Sequence, residues 1–139
     1  MKNGGNLVSK LFRFQGLLVE HMRKEPDALR YSITQLKTLR FINELKNPTM
    51  KNIADFLCVM PPSATAVVDR LIADKFVKRA SDRKDRRVVR LVITAAGRRR
   101  LRDGFERFGK IMDGLVAKLS YEERTALSGI FEKLTGFTE

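Results

Sequence analysis

Arg83, Lys84, Arg86 and Arg87 fall within five positions, interrupted only by Asp85. With Asp82 and Arg90 they place seven charges between Ser81 and Gly97, and the chain then turns apolar in "LVITAAG". Guanidinium and ammonium groups at this density do not make a nucleophile or a metal site. Their chemistry is the binding of oxyanions, phosphate above all. A merely solvated turn needs no such density, so the stretch reads as a tip built to touch something negative. Asp85 reads as structural, pairing with a neighbouring Arg to orient the tip. An exposed pair of that kind contributes only about 0–1 kcal/mol.

The charge extends beyond the tip. The 139 residues carry 28 Lys and Arg against 16 Asp and Glu, a net of +12. From Pro61 to Lys110 there are 15 basic and 6 acidic residues, so this segment holds +9 of the total. Concentrated positive charge attracts nucleic acid or an anionic membrane surface. Other chemistry finds little support. One His and one Cys exclude a structural zinc site of the usual ligand types and any internal disulfide. No nucleophile–base pair and no phosphate-cradling glycine loop is present, so the chain does not read as an enzyme, and no cofactor or metal is expected. No run reaches the roughly 18 apolar residues of a membrane span. "MKNGGNLVSK" lacks the apolar core of a signal peptide. A cytoplasmic protein with no membrane partner is expected.

The elements that must position the basic tip follow from periodicity. Leu7, Leu11, Phe14, Leu18 and Met22 step as a helix, with Val8, Phe12 and Val19 widening its apolar face. Ser32 and Gln35 form a candidate capping box for a second helix with Leu36, Leu39, Ile42 and Leu45 inward. Thr49 caps a short third helix carrying Ile53 and Leu57. Cys58, between Leu57 and Val59, reads as a buried structural cysteine. "CVMPP" is a turn, and a fourth helix runs from about Pro61 to Asp74, since proline is tolerated in a first turn. Ala64, Val67, Val68, Leu71 and Ile72 share one arc of it. Pro62, Ser63, Thr65, Ala66, Asp69 and Arg70 form a slim second face, with Asp69 expected to pair locally.

Phe76 to Arg79 and Val88 to Thr94 read as two strands of a hairpin whose tip is the basic turn. Thr94 caps a long fifth helix with a seam at Leu101, Phe105, Phe108, Met112, Leu115 and Leu119. Ser120 and Glu123 box a last helix bearing Leu127, Ile130, Phe131 and Leu134. Two helices joined by a tight turn suit a helix-turn-helix, whose second helix enters the DNA major groove. A groove about 12 Å wide admits one helix of slim exposed face. The hairpin behind it is placed as a wing whose arginines reach a minor groove. The predicted DNA-binding set is therefore Pro62, Ser63, Thr65, Ala66, Arg70, Arg83, Lys84, Arg86 and Arg87. The competing reading is a non-specific architectural DNA- or RNA-binding basic protein.

The sequence resembles the multiple-antibiotic-resistance regulator (MarR) family of winged helix-turn-helix transcription factors. "DRRVVRLVITAAG" is similar to its wing pattern at Asp85, Arg87, Leu91, Ile93, Thr94 and Gly97, with Ile93 in place of the usual Leu. "ATAVVDRLIADKFVKR" is similar to its recognition helix and first wing strand. The resemblance implies a mainly α fold with a small β-wing in a single domain over 1–139. About 32–98 would form the DNA-binding lobe, and about 6–25 and 99–137 the dimerisation helices. It implies a homodimer on a pseudo-palindromic operator, acting as a repressor released by a small-molecule effector. His21, Tyr31, Phe41 and Phe105 then become candidates for an effector cleft, with core packing as the alternative for each. Two positions depart from the family. Lys75 stands where Gly is usual, which demands another turn or a positive φ at some cost. Ala66 stands where Arg is frequent, which limits that position to apolar contact such as a thymine methyl. Pro61 and Pro62 also remove backbone donors, leaving phosphate contact more to Ser63, Arg70 and the wing.

Overall fold

In a computed structural model of the chain, residues 3–24 and 32–136 are described. Eight elements follow in order: α1 (Asn3–Lys24), α2 (Ile33–Leu45), α3 (Met50–Leu57), α4 (Pro61–Ala73), β1 (Val77–Ser81), β2 (Val89–Ile93), α5 (Ala95–Leu115) and α6 (Tyr121–Thr135). This is the mainly helical, winged architecture expected. The chain forms two units, Met1–Glu25 with Phe108–Glu139, and Pro26–Arg107.

The central unit holds the core. Leu39 and Ile42 of α2, Ile53 of α3, Ala64, Val68 and Leu71 of α4, and Val77, Leu91 and Ile93 of the hairpin are all buried in one cluster. α2 and α4 contribute at helical spacing and β2 at alternate positions, as burial of one face requires. Thr38 is buried with them, and its hydroxyl donates to the Thr34 carbonyl at 2.7 Å, so this buried polar group is satisfied.

The turn between α3 and α4 is local in origin. Thr49 caps α3 by accepting from the Asn52 N–H, while the Asn52 side chain accepts from the Thr49 N–H. Cys58 closes the helix at φ 53°, its N–H donating to Asp55 O, and the Val59 N–H donates to Ala54 O. The chain restarts at Pro61, and the two helices are bent by 111°. That lies within the range of a helix-turn-helix.

The strands pair antiparallel with Val77 opposite Ile93, Arg79 opposite Leu91 and Ser81 opposite Val89. The α2–α3 loop joins the sheet edge, because the Leu91 N–H donates to Pro48 O at 2.9 Å. At the other end of the hairpin, Thr94 caps α5. Its hydroxyl oxygen accepts from the Gly97 N–H and donates to Lys75 O. Gly97 is required here, since a Cβ would overlap the Phe76 carbonyl oxygen.

Four sequence expectations need correction. Ser32 has the extended backbone of an N-cap, but its side chain makes no capping bond and the box with Gln35 does not form. The strands are displaced to Val77–Ser81 and Val89–Ile93. α5 ends at Leu115, so Leu119 lies beyond it. Cys58 is exposed, because the left-handed cap conformation turns it outward from the end of α3.

In the other unit, α1 exposes Leu7, Val8, Leu11 and Phe12, and α6 exposes Ile130, Phe131 and Leu134. Ile111 is the buried hydrophobic residue among those described there. The capping box of Ser120 and Glu123 opens α6 as expected. Among the described residues no single helix is long and apolar enough to cross a membrane.

Candidate nucleic-acid interface

α4 turns two different faces to its surroundings. Ala64, Val68 and Leu71 are buried, while Pro62, Ser63, Thr65, Ala66, Asp69 and Arg70 are all exposed. The Thr65 hydroxyl donates to Pro61 O at 3.0 Å, so its hydrogen is occupied and its exposed oxygen remains available as an acceptor. Arg70 pairs with Asp74 at 3.3 Å, one turn further along the helix. Asp69 pairs with Arg79 of β1 at 2.8 Å. That contact links the exposed face of the helix to the hairpin behind it.

The hairpin tip is organised by two carboxylates. Asp82 Oδ1 accepts from the backbone N–H groups of Lys84, at 2.7 Å, and Asp85, at 3.2 Å. Its Oδ2 accepts from Arg90 Nε at 2.7 Å. These bonds, the Lys84 N–H first, hold the Asp82 carboxyl below the ordinary aspartate value. Asp85 Oδ1 accepts from both the backbone N–H and the Nε of Arg87, and Oδ2 accepts from Arg87 Nη2. The Arg87 guanidinium therefore lowers the Asp85 pKa, and its backbone N–H adds to the effect. The Arg87 side chain is nevertheless 90% exposed, so it is aimed by Asp85 while its charge stays open to solvent. Arg83, Lys84 and Arg86 are also exposed, around the same tip.

The predicted DNA-binding residues thus fall on two exposed surfaces of one unit, the outer face of α4 and the hairpin tip. Of the candidate effector residues, Phe41 and Phe105 belong to the central unit and His21 to the other. Phe41 stacks on Phe56 with ring centroids 4.1 Å apart and packs against the core. Phe105 is exposed, with Arg40 lying 5.4 Å above its ring. His21 belongs to the other unit, its Nδ1 2.9 Å from Leu17 O. Tyr31 lies outside the described residues.

Sequence reasoning missed three basic residues around the hairpin. Arg79 pairs with Asp69, Arg90 reaches Asn47 O at 3.4 Å, and Lys46 flanks the strands from the α2–α3 loop. Their only sequence signal was the general positive excess. Lys75 has φ 61°, so the turn keeps the left-handed form that glycine would have adopted without strain.

A tight helix-turn-helix followed by a basic two-stranded wing makes a winged helix-turn-helix fold. The MarR family model matches residues 31–89. An uncharacterised HTH-type transcriptional regulator of Bacillus subtilis strain 168, YwhA, is 27% identical over 96 residues, 69% of each chain. The YusO protein of Bacillus subtilis superposes with a TM-score of 0.69 at 25% identity, over 99% of this chain and 96% of its own. BpsR of Bordetella bronchiseptica, whose DNA binding is regulated by 6-hydroxynicotinic acid, superposes with a TM-score of 0.73 at 19% identity, over 97% and 94% of the two chains. The chain has the winged helix-turn-helix fold of these solved structures, and its residues 31–89 are similar to the MarR family.

Proposed function

We propose that this protein is a dimeric repressor that covers a pseudo-palindromic operator and is released by a small-molecule effector. The observation that carries the DNA-contact assignment is Arg87, held by Asp85 through its backbone and guanidinium yet almost fully exposed. A phosphate can meet this cation with little further ordering, which favours binding. The slim face of α4, with Pro62, Ser63, Thr65, Ala66 and Arg70, is the major-groove reader, and Arg83, Lys84, Arg86 and Arg87 contact the flanking duplex.

The dimer is supported by the apolar residues that α1 and α6 expose. Leu7, Phe12 and Leu134 are 64%, 65% and 77% exposed, more apolar surface than a soluble monomer commonly leaves in contact with water. A two-fold dimer reads half-sites about one helical turn, roughly 10 bp, apart. The effector reading is supported by BpsR, whose DNA binding answers to a small aromatic acid. In the present chain the ligand would act by spreading the two recognition helices.

The test is fluorescence anisotropy with the protein's own upstream DNA and a scrambled duplex, at several salt concentrations. The expected result is preference for the upstream fragment, two subunits per site and a steep salt slope, since each phosphate contact releases counterions. Arg87→Ala should weaken binding by more than about tenfold and leave the dimer intact. Unchanged affinity at matched salt would remove the wing from the interface. Equal binding to both duplexes would favour a non-specific architectural protein.

A further inference from the structure

The outer side of the wing holds a feature that neither the recognition helix nor the tip accounts for. A groove of about 580 Å³ is lined by Lys46, Asn47, Ala80, Ser81, Asp82, Arg83, Lys84, Arg90 and Val92. The strand register explains which residues line it. Val77, Ile93 and Leu91 turn toward the core, so the alternate positions Ala80, Arg90 and Val92 turn away from it. Ala80 and Val92 make an apolar floor. The α2–α3 loop forms one wall, where Lys46 and Asn47 both adopt positive φ, at 50° and 70°. Arg90 joins this wall to the floor by donating to Asp82 and to Asn47 O.

The electrostatics of the groove are one-sided. Four cations, Lys46, Arg83, Lys84 and Arg90, face a single carboxylate. Asp82 does not oppose an incoming anion strongly, because Oδ1 is occupied by two backbone N–H groups and Oδ2 by Arg90. Among the described residues, the side chains of Lys46, Arg83 and Lys84 have no acidic partner. Like charges gathered around a concavity without counter-charge raise the local potential and favour an anion there.

We propose that this groove is a binding site for a small phosphate-bearing anion, with Lys46, Arg83 and Lys84 taking the phosphate and Ala80 and Val92 receiving the body of the molecule. The volume falls in the range of small-molecule sites and exceeds what a bare phosphate fills. Arg83 and Lys84 are shared with the tip. Occupancy of the groove therefore withdraws two cations from DNA and lowers operator affinity. This coupling, unlike the anion binding itself, rests on the assignment of the wing to DNA.

The experiment has two arms, each using the full chain. In the first, pyrophosphate is titrated into ¹⁵N-labelled protein at constant ionic strength, against chloride as control. Saturable shifts at the amides of Lys46, Asn47, Ala80, Lys84 and Arg90 are expected. Lys46→Gln should weaken the titration by about tenfold, as loss of a charge-assisted contact does, and Arg70→Gln should leave it unchanged. Shifts that do not saturate, that centre on α4, or that persist unaltered in Lys46→Gln overturn the site.

In the second arm, DNA affinity is measured with and without pyrophosphate at matched ionic strength. Loss of affinity in wild type, and resistance in Lys46→Gln with its anion-free affinity unchanged, support competition. If Lys46→Gln itself weakens DNA binding without anion, the groove serves duplex phosphate and the free-ligand reading falls. If no DNA binding is found at all, the wing assignment fails while the first arm still decides the site.

Discussion

Asp69 of α4 and Arg79 of β1 form an ion pair at 2.8 Å, ten residues apart in the chain. The pair ties the helix read as the base reader to the strand that begins the wing. Both side chains are about half exposed, so its effect on stability is small. Asp69→Ala should shift the unfolding free energy by no more than about 1 kcal/mol in urea titrations. It should lower affinity for the upstream DNA more than stability, because wing and helix lose a shared orientation. Equal affinity in the variant would confine the pair to a surface role.

Asp85→Asn tests the aiming of Arg87. The variant keeps a side-chain acceptor for the Arg87 N–H but loses the charge that holds the guanidinium. Thermal unfolding should be nearly unchanged, and DNA affinity at low salt should fall through a faster off-rate. An unaltered off-rate would show that Arg87 finds phosphate without Asp85.

The two wing carboxylates also predict a pH dependence. Asp82 and Asp85 are both lowered below the ordinary value of 3.8. A carboxylate depressed in the native state contributes its full stabilisation above the unfolded pKa and loses it as pH falls through the native one. The wing should therefore stay ordered down to pH values below 3.8. The amide resonances of Lys84 and Arg87, whose N–H groups donate to these carboxylates, should move together only under more acid conditions. Movement of both near pH 5 would contradict the bonding described.

Lys75 predicts a stabilising substitution. A side chain at φ 61° carries a steric cost of about 1–2 kcal/mol, partly offset by the greater unfolded-state freedom of glycine. Lys75→Gly should raise stability by about 0.5–1 kcal/mol in urea unfolding. A loss of stability would mean that the lysine side chain supplies a contact exceeding the strain.

Gly97 predicts the opposite. A Cβ there overlaps the Phe76 carbonyl oxygen and crowds the Ile93 side chain, and backbone on one side leaves little room to relax. Gly97→Ala should destabilise by about 2 kcal/mol or more, read as a fall in the urea midpoint. A neutral result would show that the start of α5 can move away from the hairpin.

What the sequence determined by itself is local and periodic. Thr49 and Ser120 cap their helices as their spacing to Asn52 and Glu123 allows, because a capping box is complete within four residues. Ala64, Val68 and Leu71 were legible as a buried arc, and the basic turn as a hairpin tip, since apolar period and turn composition are readable one segment at a time. Ser32 shows the limit even there. Its backbone caps α2, but an exposed hydroxyl exchanges its bond with water at little cost, so the pattern does not dictate the rotamer. Cys58 lay between apolar neighbours, and only the left-handed end of α3 turned it outward.

The tertiary structure alone decided which charges meet across elements. Arg79 finds Asp69, Arg90 finds Asp82 and reaches Asn47 across 43 residues, and Lys46 comes to line the wing. Nothing in the composition distinguished these cations from the others. A charge acts through space rather than along the chain, so its partner depends on where the core draws the elements together.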